Sequence, residues 1–168
     1  EPIQRIDSTP SIEVAAGLVF REGQLLITQR PPGSHLAGLW EFPGGKRETG
    51  ETFEDCLGRE LREELGNDVA VGELVESITH AYPEKTVHLK FFRCRWLAHE
   101  PKPLGCSACR WILPHQLDAH DFPPADARLL GLLRSQPGWW RDYPKSAISP
   151  RVRRAKPSVR PTKDLSLS

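Results

Sequence analysis

The sequence predicts an α/β fold built on one core, and three observations carry that reading. Apolar runs of strand length, bounded by turn residues, recur along the chain. A strongly amphipathic helical pattern interrupts them after residue 51. The length, 168 residues, suits one ordinary domain with spare chain and is too short for two full-sized cores.

Taken in order, residues 1–11 are polar, contain Pro2 and Pro10, and read as a leader without a core. The apolar run from Ile12 to Phe20, the turn Arg21-Glu22-Gly23 and the resumed pattern QLLITQR predict strand, turn and strand. Residues 31–45 are dense in Pro and Gly and predict a long loop, with a short strand at Leu39 to Phe42. A helix over 52–65 follows: Thr52 with Asp55 resembles a capping box, Glu54 and Asp55 suit the positive dipole end, and Gly66 stands at C′. Strands are expected at about 73–80, 86–98 and Arg110 to Leu113, and a second helix from Ala125 to Arg134 behind the Phe122-Pro123-Pro124 turn. The domain therefore spans 12–140, and 141–168 read as a disordered basic tail with few large apolar side chains to offset ordering.

Composition narrows the function classes. Hydrophobic residues are 38%, charged residues 27% and mean hydropathy is -0.47, as in a globular protein, excluding collagen, coiled coil and wholesale disorder. No run approaches the roughly 20 apolar residues of a bilayer span, and Glu1 to Pro10 lacks a signal-like pattern. Residues 141–168 hold eight Lys/Arg against two Asp/Glu, leaving 15 against 20 elsewhere. An acidic body leaves nucleic-acid contact to the tail alone. Four sparse cysteines fit a reducing compartment, so a cytoplasmic location is expected. The chain lacks Met even at position 1, which marks it as processed, trimmed or cut from something longer.

The chemistry concentrates in GGKRETGETFEDCLGRELREELG, residues 44–66. At about 100° per residue, Phe53, Leu57, Leu61 and Leu65 form one stripe, and Glu60 and Glu64 fall about 60° and 20° from Leu57, with Glu63 further round. Carboxylates at the seam of a core lose hydration and need compensation. Clustered hard oxygen donors suit Mg²⁺, or Mn²⁺, better than zinc. The competing reading is a surface set of i,i+4 partners for Arg59. The upstream Gly44-Gly45, where backbone carbonyls can approach a metal, favours the metal site.

On these residues the chain resembles a Nudix hydrolase. The family box Gly-x5-Glu-x7-Arg-Glu-U-x-Glu-Glu-x-Gly-U, U being bulky and apolar, is matched by Gly45, Glu51, Arg59, Glu60, Leu61, Glu63, Glu64 and Gly66, with Asn67 departing at the last U. LAGLWEFPGGK at 36–46 and FPPAD at 122–126 look like the MutT branch, so the resemblance covers about 12–135. It implies an α/β/α sandwich around a mixed sheet and Mg²⁺-dependent cleavage of a nucleoside triphosphate to monophosphate and pyrophosphate. It also implies Glu60, Glu64 and the Gly45 carbonyl as metal ligands, with Glu63 as a further ligand or base. Arg59 would orient the glutamates and Glu51 support the loop. For the base pocket it implies Gln29, Arg30, the Phe42 backbone and Asp126, with His35 or Leu36 nearby.

Two features stand apart from the family pattern. MutT-like enzymes often carry a glutamate in the loop before the last strand, and Leu104 to Trp111 holds no carboxylate, so Glu63 or Glu60 would take the base role or catalysis would be slow. Cys106 and Cys109 form a C-x-x-C without a second ligand pair and read as two loop thiols. His80, His88 and His99 lie on or near strands. The resemblance suggests pool sanitation of oxidised guanine nucleotides such as 8-oxo-dGTP. Alternatives are a CTP/dCTP-type pyrophosphohydrolase and a non-catalytic module like the one closing MutY-type glycosylases; a complete box favours the enzyme.

Overall fold

The structure, a computed structural model, describes residues 10–141. The expected leader up to residue 9 and tail from residue 142 lie outside the described residues. Seven strands form one mixed sheet: β1 Ser11–Arg21, β2 Gln24–Gln29, β3 Trp40–Glu41, β4 Gly44–Lys46, β5 Asp68–Ala81, β6 Thr86–Ala98 and β7 Ala108–Ile112. The order β3-β2-β1-β6-β5 forms the sheet's path, β4 pairs with β1, and β7 pairs with β2. β1 and β6 run parallel from Ser11↔Thr86 to Phe20↔Arg95, and the other pairings are antiparallel.

Alternation along β1 explains the layers. Ala15 and Val19 face helix α1, Phe53–Leu65, in a core with Leu57, Leu61, Leu65 and Phe92. Ala16, Leu18 and Phe20 face helix α2, Ala127–Ser135, in a core with Phe91, Leu129, Leu133 and Trp140. The helix-on-each-face architecture agrees with the expected sandwich. The caps of α1 also form as read: the Asp55 N–H donates to Thr52 Oγ1 at 3.0 Å, and Gly66 is left-handed at φ 68 with its N–H on the Arg62 carbonyl. Among the described residues no helix is long and apolar enough to cross a membrane.

Several bounds differ from the sequence reading. Gly44–Lys46 is strand β4, not loop, because its partner is the distant β1, with Ala15 opposite Gly45. β5 begins at Asp68, five residues early, since β6 continues to Ala98 and gives it a partner. β7 starts at Ala108 against Gln29 on β2. Pro124–Asp126 forms a 3₁₀ turn, which delays α2 to Ala127. Pro137–Trp140 forms another and buries Trp140.

Candidate active site

The site grows from the junction of β4 and α1. Gly44 and Gly45 run so close to their neighbours that a Cβ on Gly45 would meet Glu60 Cδ at 2.3 Å, and one on Gly44 would meet the Ala15 carbonyl oxygen at 2.0 Å. Side chains are thereby excluded, and the Glu60 carboxylate lies against the Gly45 backbone. α1 brings Glu60, Glu63 and Glu64 to this point in the order the helical wheel gives: Glu64 is the most enclosed, Glu60 half-buried, and the Glu63 side chain 51% exposed.

Arg59 organises the acids. Its Nε and Nη2 donate to the two Glu51 oxygens at 3.1 and 2.7 Å, a bidentate fork. Nη1 reaches Glu60 at 2.9 Å and Glu63 at 3.1 Å, and Nη2 also donates to the Lys46 carbonyl. The surface pairing considered from sequence, Arg59 with Glu63 at i,i+4, is therefore present and coexists with the cluster. The Arg59 hydrogen bond holds Glu51 below the usual carboxylate range, and the acids raise Arg59 further above its own. Glu60 is shifted upward by burial, against the pull of Arg59.

Glu64 differs from the others. Burial, then the charge of Glu41, push its carboxyl up to about 7, while the Gly44 N–H opposes the shift. Its Oε2 is shielded from solvent and has no hydrogen-bond partner among the described residues. A buried carboxylate oxygen without a hydrogen-bond partner, on the same helix as the Glu60 carboxylate that lies against Gly45, is the fit expected of a hard-cation ligand. Among the described residues no three His, Cys, Asp or Glu side chains already converge as a closed cage. Mg²⁺ needs none, because it keeps several waters and takes one or two carboxylates. Glu60, Glu64 and the Gly45 carbonyl fit that demand.

On the other side of β4 lies a pocket of about 400 Å³. Its floor includes Ala16, Leu89 and Phe91, and residues 123–126 form part of its wall. Arg30, His35, Phe42 and Asp126, all expected from the resemblance, line it. Arg30 has further duties: Nε donates to the His35 carbonyl at 2.5 Å and Nη1 to Glu41 at 3.0 Å. Gln29 stands elsewhere, its amide donating to the Gly38 carbonyl at 3.0 Å, so it secures the loop rather than lining the pocket. Asp126 is 7% exposed, makes no capping bond and has no partner among the described residues. Burial and then Glu41 raise its carboxyl to about 6.

Glu41 is the site residue that sequence reasoning missed. It lines the pocket and acts electrostatically on both Glu64 and Asp126. The sequence offered no signal for it, because an acid between the core residues Trp40 and Phe42 is the ordinary alternation of a strand. The loop at residues 104–107 supplies no carboxylate and instead packs on the end of α1: the Leu104 and Gly105 N–H groups donate to the Glu64 carbonyl at 3.1 and 3.0 Å. Cys106 and Cys109 are free, and burial pushes the Cys106 thiol to about 12.

Comparison with known proteins agrees with this geometry. The NUDIX domain family model matches residues 15–132. The chain is 40% identical over 126 residues to an 8-oxo-dGTP diphosphatase of Haemophilus influenzae, covering 74% of this chain and 93% of that one. It is 40% identical over 124 residues to a CTP pyrophosphohydrolase of Escherichia coli, covering 71% and 88%. A solved MutT of the Nudix hydrolase family from methicillin-resistant Staphylococcus aureus superposes with a TM-score of 0.63 at 31% identity, over 76% of this chain and 98% of that one. The acidic box running from β4 through α1, together with a family match over most of the domain, places the chain in the Nudix hydrolase family, among its MutT-like members.

Proposed function

We propose that the protein hydrolyses (deoxy)nucleoside triphosphates to monophosphate and pyrophosphate with Mg²⁺, and that oxidised guanine nucleotides such as 8-oxo-dGTP are its preferred substrates. The observation that carries the reading is Glu64, whose Oε2 is buried without a hydrogen-bond partner among the described residues, next to a pocket that Gly44, Gly45 and Asp126 line together. The relatives named 8-oxo-dGTP diphosphatase support the choice of base.

Glu60, Glu64 and the Gly45 carbonyl would hold the cation. When bound, it neutralises the triphosphate and lowers the pKa of a bound water. Arg59 keeps Glu51, Glu60 and Glu63 in register through its five donors. Arg59 engages Oε2 of Glu63, which leaves Oε1 to accept a proton from an attacking water. Glu60 is the alternative base, since its own tie to Arg59 uses Oε1. Lys46 and Arg30 bring positive charge to the pocket side of β4, where the phosphates would leave the base.

An ionised Asp126 accepts, and guanine presents N1–H and an exocyclic amine to such an acceptor. A CTP-type substrate is the second reading, favoured by Glu41 beside Asp126, because carboxylates accept from the cytosine N4 amine. Pyrophosphate release should be measured with Mg²⁺ over normal and oxidised nucleoside triphosphates. Asp126→Ala is expected to raise KM and flatten the base ranking with a smaller effect on kcat, because the contact is to the base and not the reacting phosphorus. An unchanged ranking would move the base pocket elsewhere.

A further inference from the structure

The 123–126 wall of the pocket is anchored from two sides. Toward β3, the Trp40 N–H donates to the Asp121 carbonyl at 2.8 Å, and Phe122 stacks on Phe42 with centroids 5.2 Å apart. Toward β5, Leu129 and Leu133 of α2 enter the core, and Arg128 Nε stands 3.0 Å from Glu76 Oε2. Glu76 sits opposite Phe91, the same Phe91 that lines the pocket.

This pair has an unusual construction. The Glu76 side chain is 9% exposed, and its Oε2 is closed to solvent and pairs with Arg128 by charge without a hydrogen bond among the described residues, whereas Arg128 is 80% exposed. Glu76 Oε1 accepts from the Ser77 N–H at 3.1 Å. Val75 and Ile78 beside it pack on the apolar core, so a hydrophobic residue would suit the position without the desolvation cost of a carboxylate. A buried carboxylate held by one exposed arginine is a weak source of stability. What it does supply is a tether, since the attraction of opposite charges draws the second residue of α2 toward a fixed strand. Asp126 lies two residues earlier, and its carboxylate has no hydrogen-bond partner among the described residues, so its placement follows the backbone at the start of α2.

We infer that the Glu76–Arg128 pair is a positioning device for the base pocket: it sets the start of α2, and with it Asp126, relative to the Phe91 floor, and thereby governs discrimination among nucleobases. The inference rests on the base-pocket reading above. It concerns placement, so it acts on KM and on base ranking, because displacing a contact by a fraction of an ångström weakens it without touching the reacting phosphorus.

The test uses the full chain with Mg²⁺ and compares the preferred nucleoside triphosphate with one carrying a different base. Arg128→Ala changes an exposed helical position and should fold. It is expected to raise KM roughly tenfold and lower the preference between the two bases about fivefold, with kcat within about twofold of the parent. Arg128→Lys should recover part of the preference. Glu76→Leu separates placement from stability: its melting temperature should stay level or rise while the preference falls, the opposite of what a purely structural pair would give. Parent-like KM and ranking in Arg128→Ala and Glu76→Leu, alongside a flattened ranking in Asp126→Ala, would overturn this inference alone. A parent with no base preference would overturn the pocket reading and this inference together.

Discussion

Glu64 is the carboxylate of the α1 cluster whose burial most changes its hold on a proton. Its ordinary pKa is 4.5 and the folded value about 7, so between these the folded, metal-free protein keeps a proton that the unfolded chain has lost. Stability of that form must therefore fall as pH rises from about 4.5 to 7, by something on the order of 3 kcal/mol, and level off above. Asp126, raised from 3.8 to about 6, adds a decline of the same sign. Thermal melts of the metal-free protein across pH 4–8 should show this loss, and Glu64→Gln should remove most of it. The same variant should lose pyrophosphate release by roughly a hundredfold or more, because the amide keeps the shape but not the charge a cation needs. A Glu64→Gln enzyme with near-parent activity would refute the ligand assignment. Asn67, the departure from the box, is fully buried, and neither amide atom is bonded among the described residues. Asn67→Leu is expected to stabilise the fold by about 1–2 kcal/mol in a denaturant titration, and a lower midpoint would show that the amide is satisfied.

Element-level behaviour centres on β4, whose two glycines face different obstacles. At Gly45 a Cβ would strike the Glu60 carboxylate, the far end of a side chain that can swing away. At Gly44 it would strike the Ala15 carbonyl and Ala16 Cα, backbone that cannot move without separating β4 from β1. Gly45→Ala should therefore leave the melting temperature close to the parent's while removing turnover, and Gly44→Ala should lower stability by several kcal/mol, beyond the ordinary 1–3 kcal/mol cost of overpacking. Equal melting temperatures for the two variants would contradict the register of β4. α1 itself was legible because its caps, stripe and acids lie within i to i+4 of one another.

For the whole molecule, the described domain closes at its C-terminal turn. Trp140 is 4% exposed, packs edge-on to Phe20 at 5.6 Å and donates from Nε1 to the Leu133 carbonyl at 3.0 Å. Arg93 secures the same turn through the carbonyls of Gly138, Trp139 and Arg141. A chain ending at Arg141 is expected to keep the parent's melting temperature and rate on free nucleotides. A chain ending at Gln136 should lose about 3–5 kcal/mol, the cost of removing a buried tryptophan. Strong destabilisation of the first truncation would show that 142–168 dock on the domain.

The sequence by itself determined what neighbouring residues decide among themselves. The start and stop of α1 and the separation of Glu64 from Glu63 in burial follow from helical periodicity and capping within a few positions, and the box that marks the family is legible as a residue pattern by its resemblance. Tertiary structure decided what depends on residues far apart in the chain. Gly44–Lys46 becomes a strand because β1 offers it a partner, and β5 begins early because β6 extends to meet it. Gln29 turns to the loop, Glu41 comes close enough to act on both Glu64 and Asp126, and Glu76 of β5 pairs with Arg128 of α2. None of these had a local signature, because strand pairing and desolvation act between segments that periodicity within one segment cannot relate.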